Sequence, residues 1–85
     1  MPLANQITLY GTKGCHLCDK AERVVRRMAP QYALQFIYAD IAEDETLMQR
    51  FALQIPVLEH NASGRQLTWP IDDDTFADFA MQLNA

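Results

Sequence analysis

A chain of 85 residues with a formal net charge of −4 lacks the concentrated positive charge that phosphate binding needs, so a nucleic-acid partner is not expected. No run approaches the roughly 18 apolar residues that cross a bilayer, and MPLANQITLY has no basic start followed by an apolar stretch of leader length. With 49% hydrophobic residues spread along the chain, one domain over residues 1–85 with a modest core is expected, as a cytoplasmic monomer with no membrane partner.

QITLY (Gln6–Tyr10), β-branched and aromatic and closed by Gly11, predicts a buried strand. After the Gly11–Gly14 turn, Leu17, Ala21, Val24, Val25 and Met28 recur at helical spacing. Asp19 and Glu22 lie early in this helix and the arginines late, the polarity that suits the helix dipole, and Pro30 supplies a stop. ALQFIYADI (Ala33–Ile41) predicts a second strand, made parallel to the first by the helical crossover. A short helix is expected over Asp44–Phe51. IPVLEH and RQLTW flank the turn formers Asn61-Ala62-Ser63-Gly64 and predict a β-hairpin. Asp72 is placed to cap a last helix whose Phe76, Phe79, Ala80 and Leu83 form a core stripe. The order β-α-β-α-β-β-α gives an α/β fold with a four-stranded mixed sheet and helices on both faces. The basic segment Lys20, Arg23, Arg26 and Arg27 and the acidic runs DIAEDE and IDDD are expected to be solvated faces and helix ends.

The chemistry-bearing residues are Cys15 and Cys18, in YGTKGCHLCDKAERVV. The layout puts Cys15 in the first turn of the first helix and Cys18 one turn inside it. Free N–H groups and the dipole at a helix start favour thiolate over thiol, and can lower a cysteine pKa from about 8.5 to roughly 3.5–7.5. The outer sulfur is then suited to attack and the inner one to resolve the mixed disulfide. A zinc site needs four ligands, and only His16 and His60 remain as nitrogen donors, so no metal is expected. A permanent staple does not suit a reducing compartment. His16 is expected to be solvated and His60 to be a strand-end residue. Lys13 either attracts an anionic thiolate or substrate carboxylate, or is a solvated turn lysine.

Four stretches in order, LYGTKGCHLCDKA, YADI, QIPVLEH and IDDDTF, make the chain resemble a glutaredoxin-related thioredoxin-fold protein, nearest to the small bacterial glutaredoxin-like family. The resemblance implies a thiol–disulfide oxidoreductase with Cys15 as nucleophile and Cys18 as resolving cysteine. It also implies a cis Ile55-Pro56 peptide facing the reactive sulfur, with the Ile55 backbone pairing to an extended thiol substrate. Asp72 and Asp73 match the acidic helix start that holds a γ-glutamyl group, a role that competes with plain helix capping. Partners implied are a disulfide-containing protein or a low-molecular-weight thiol, with no bound cofactor and glutathione as a candidate reductant. Three positions depart from the family. His16-Leu17 replaces the frequent Pro-Tyr, Gln54-Ile55 replaces Thr-Val, and Trp69-Pro70 stands where Gly-Gly usually lets glutathione approach the backbone. That last change motivates an alternative, a protein-binding module with a little-used redox pair. In it Trp69 serves as a contact anchor if exposed, although a buried hairpin-end tryptophan is the first expectation.

Overall fold

The computed structural model describes residues 5–83. In chain order these form β1 (Gln6–Gly11), α1 (His16–Met28), a 3-10 turn (Ala29–Tyr32), β2 (Gln35–Asp40), a second 3-10 turn (Ile41–Glu43), α2 (Glu45–Phe51), β3 (Val57–His60), β4 (Gln66–Thr68) and α3 (Asp73–Leu83). The four strands make one sheet in the order β2-β1-β3-β4. β1 runs parallel to β2 and antiparallel to β3, and β3 is antiparallel to β4. This is the mixed α/β sheet that the element order predicts.

Strand alternation divides the core between two faces. Ile7, Leu9 and Leu58 face one side, where they pack with Ala21, Val25 and Met28 of α1 and with Phe76, Phe79 and Ala80 of α3. Val57 faces the other side and clusters with Ile41 and Phe51, flanked by Tyr10, Leu47 and Ile55. So α1 and α3 cover one face and α2 the other. At 7 residues α2 is too short to hold itself together, since isolated helices under about 12 residues are marginal. Its Phe51 is pinned by stacking on Tyr10, ring centres 4.5 Å apart, with the Arg50 guanidinium 4.6 Å from the ring centre of Phe51. Among the described residues no helix is long and apolar enough to cross a membrane.

Several boundaries differ from the sequence expectation for identifiable reasons. Pro30 opens a 3-10 turn as well as following α1, and Ala33 leaves that turn in the left-handed region at φ 57°, so β2 starts at Gln35. β2 stops at Asp40 because its carboxylate accepts from Ala42 N at 2.9 Å and bends the chain into the second 3-10 turn. Asp44 caps α2, accepting from Thr46 N at 2.9 Å and Leu47 N at 3.2 Å. On α1 the buried positions are Cys18, Ala21, Val25 and Met28, while Leu17 is 38% exposed. Cys18 therefore takes the place in the apolar stripe that spacing assigned to Leu17. His60 lies at the end of β3 as expected, buried, with Nδ1 2.7 Å from Ser63 Oγ.

Candidate functional site

The site begins where β1 ends. Thr12 to Gly14 turn the chain, Gly14 taking the left-handed φ of 83° that a side chain would resist, and Cys15 follows as the N-cap of α1 with extended backbone angles. Its carbonyl accepts the first helical bond from Asp19 N at 3.0 Å, and its Sγ accepts from Cys18 N at 3.1 Å. N-caps are normally oxygen side chains that satisfy one of the orphan amides at a helix start. Here a sulfur does that work, with the positive end of the helix dipole behind it.

Cys15 and Cys18 form a disulfide with their Cα atoms 5.2 Å apart, inside the usual range of about 4.4–6.8 Å. Cys15 is half-buried at the rim and Cys18 is 0% exposed. An incoming sulfur can therefore reach Cys15 and not Cys18. Lys13 and His16 are exposed on either side of Cys15 in sequence. Among the described residues no group of three or more His, Cys, Asp or Glu side chains gathers into a metal-binding cluster.

Sheet register shows which other predicted residues share this end of the molecule. Tyr10 pairs with Val57 and Val57 with Thr68, so the 55–56 loop and the 69–70 loop leave the sheet at the end where β1 runs into the cysteine turn. Ile55-Pro56 is a cis peptide, with Pro56 buried and Ile55 half-buried against the α2 cluster. The Ile55 N–H already donates to Phe51 O at 3.1 Å. Trp69-Pro70 is a second cis peptide, which the sequence reading did not anticipate. Trp69 is 38% exposed, against the expectation of a buried ring, because β4 ends at Thr68 and leaves the indole beyond the last paired residue.

Asp72 and Asp73 are engaged elsewhere. Asp72 Oδ1 accepts from Thr75 N at 2.9 Å while Thr75 Oγ1 accepts from Asp72 N at 2.9 Å, a reciprocal box that closes the start of α3. The Asp73 carboxylate accepts from both terminal guanidinium nitrogens of Arg27, Nη2 at 2.6 Å and Nη1 at 3.1 Å. That hydrogen-bonded guanidinium holds the Asp73 carboxyl below its ordinary range and raises Arg27 in return. Arg27 sits in the last turn of α1, about 18 Å along the axis from Cys15 at 1.5 Å per residue. Lys13, Cys15, Ile55 and Pro56 thus share one end of the sheet, and Asp73 is tied to the opposite end of α1.

Two residues next to the pair went unnoticed in the sequence. Gly11 reads as strand punctuation, yet a Cβ there would lie 3.0 Å from Cys18 Cβ, 3.1 Å from Cys18 Sγ and 2.8 Å from the Tyr38 hydroxyl. A glycine closing a strand four residues before Cys-x-x-Cys is the signal available. Tyr38 has none, because its nearness comes only from the parallel register Leu9↔Tyr38 and Gly11↔Asp40.

The family model for the glutaredoxin-like domain (DUF836) matches residues 6–79. Among solved structures, the X-ray structure of the structural-genomics target protein XcR50 from X. campestris is 32% identical, covering 89% of this chain and 96% of that one at a TM-score of 0.76. Oxidised thioredoxin from Plasmodium falciparum superposes at a TM-score of 0.71 with 15% identity, covering 94% of this chain and 81% of that one. Reduced Escherichia coli glutaredoxin does so at 0.58 with 22% identity, covering 94% and 99%. The last two establish the thioredoxin-like fold. A comparison with curated proteins finds no match.

Proposed function

The chain belongs to the glutaredoxin-like domain family, and from that membership and the site we propose that it is a dithiol–disulfide oxidoreductase. The observation that carries the reading is the sulfur N-cap: Cys15 Sγ accepts from a helix-start amide while Cys18 lies fully buried one turn on. In the reduced protein the same amide and dipole favour a thiolate at Cys15. That thiolate attacks a substrate disulfide, forming the mixed disulfide and releasing one substrate thiolate, which takes up the proton that Cys18 gives up. Cys18 then attacks Cys15 Sγ, the protein disulfide forms, and the second substrate thiolate leaves and is protonated from solvent. Two electrons pass from the dithiol to the substrate, and a low-molecular-weight thiol or a reductase restores the pair.

Substrate contacts are proposed at Lys13, whose ammonium is free to approach an anionic sulfur or carboxylate, and at Ile55-Pro56. Since Ile55 N–H is already donated to Phe51 O, pairing with an extended substrate is expected through the Ile55 carbonyl. A γ-glutamyl group at Asp72 or Asp73 has to compete with Thr75 N and with Arg27. We therefore favour a protein disulfide over a glutathione mixed disulfide as substrate. The test is reduction of each substrate side by side with its own regenerating system. Faster reduction of the protein disulfide is expected, and turnover of neither contradicts the proposal.

A second reading, a protein-binding module with a rarely cycled pair, draws on the exposure of Leu17 and Trp69 at this end of the molecule. Dithiol turnover with any disulfide at a useful rate argues against it.

A further inference from the structure

Resting on the dithiol reading above, we propose that the Tyr38 hydroxyl is the hydrogen-bond donor to the Cys18 sulfur when Cys18 becomes a thiolate to resolve the mixed disulfide. Cys18 is 0% exposed, so its anion has no water of its own, and an unpartnered buried charge is strongly disfavoured. Its backbone N–H is committed to Cys15 Sγ at 3.1 Å. A candidate new donor comes from the sheet. Parallel register Leu9↔Tyr38 puts Tyr38 on the face covered by α1. The Cβ that Gly11 lacks would lie 2.8 Å from the Tyr38 hydroxyl and 3.1 Å from Cys18 Sγ, which puts the two atoms at most about 6 Å apart. The absent side chain leaves the space between them open, and contact requires the phenol, or the sulfur freed from Cys15, to move across it. Tyr38 as a residue is half-buried, unlike the sealed sulfur. Burial, and then Glu22 and Asp19 on α1 and Asp40 on β2, raise the phenol above its ordinary range. The hydroxyl therefore keeps its proton at neutral pH and donates.

In the resolving step the phenol gives up no proton. It donates a hydrogen bond to the Cys18 thiolate, the S–S bond between the two cysteines forms, the bond from Cys15 to substrate breaks, and the electron pair leaves on the substrate sulfur. Cys15 is spared this dependence, because its own stabilising groups are those of the helix start.

The test uses Tyr38→Phe, which keeps the ring and removes the donor, read in two ways. In reduced Cys15→Ser protein, the pH midpoint for alkylation of Cys18 is expected to rise by about one unit when Tyr38→Phe is added, the size of one hydrogen bond to a charged group. In otherwise unaltered protein, resolution of a preformed Cys15 mixed disulfide should slow about tenfold while first attack by Cys15 is unchanged. Gly11→Ala, which must push the hydroxyl aside, should move the Cys18 midpoint in the same direction. A Cys18 midpoint that stays put in Tyr38→Phe overturns the proposal. The alkylation readout needs no substrate, so a midpoint that moves in a protein that turns over no disulfide upholds the Tyr38–Cys18 link and sinks only the oxidoreductase reading.

Discussion

The helices α1 and α3 both begin with a capped first turn, and they differ in what the cap leaves available. At the start of α3, Asp72 and Thr75 satisfy each other's backbone N–H groups with oxygen atoms, and Asp73 is neutralised by Arg27. At the start of α1 the acceptor is Cys15 Sγ, a weak acceptor as a neutral sulfur and a strong one as a thiolate. One helix mouth is finished by its own side chains. The other gains most from its amide and dipole when a negative charge appears on the sulfur. Both starts share a side-chain bond to the amide three residues on, made by oxygen at α3 and by sulfur at α1, and in the function proposed above the sulfur cap is the reactive one.

The contrast can be broken most severely at Cys15. Cys15→Ser keeps an N-cap acceptor, so under reducing conditions the urea midpoint should change little, while disulfide exchange should fall to background. Activity surviving in this variant would place the nucleophile elsewhere. The converse change, Asp72→Ala, should lower stability by about 1 kcal/mol in urea titration and leave alkylation of Cys15 unaltered. A change in Cys15 reactivity of tenfold or more would mean that the two helix starts are coupled. Asp73→Asn should have the smallest effect, and it depends on pH. The folded carboxyl is held below its reference value of 3.8 by Arg27, so the pair contributes above that value and its contribution fades as pH falls through the lowered folded value. Wild type and Asp73→Asn should therefore converge in stability in acid, and a gap that persists there contradicts the assignment. Because both side chains are exposed to solvent, added salt should also narrow the gap at neutral pH.

The order of elements was legible because period and punctuation agreed. QITLY and IPVLEH read as strands, the latter trimmed in the structure to Val57–His60, the Phe76/Phe79/Ala80 stripe as a buried helix face, and Asn61 to Gly64 as a hairpin turn. The cysteine pair was legible for the same reason, being placed by a strand before it and a helix after it. What stayed hidden depended on register or on partners distant in sequence. Arg27 and Asp73 are 46 positions apart, and nothing local marks Arg27 as different from Arg23 or Arg26. Tyr38 comes near Cys18, across the space that a Gly11 side chain would fill, only because β2 pairs with β1 at one particular offset. Leu17 misled because spacing alone does not distinguish it from Cys18 one position on, and cysteine filled the buried slot. The cis peptide at Ile55-Pro56 followed from the resemblance, while that at Trp69-Pro70 had no counterpart from which to be expected.

The two sulfurs are expected to be unequal, and pH-dependent alkylation of the fully reduced protein, with each cysteine quantified by mass spectrometry, addresses that inequality most directly. Cys15 is predicted to react at least about tenfold faster than Cys18 at neutral pH, with its rate already near plateau there, as a thiolate-bearing N-cap requires. Equal rates for the two sulfurs, or a Cys15 rate still climbing as an ordinary thiol's does above pH 8, would contradict it.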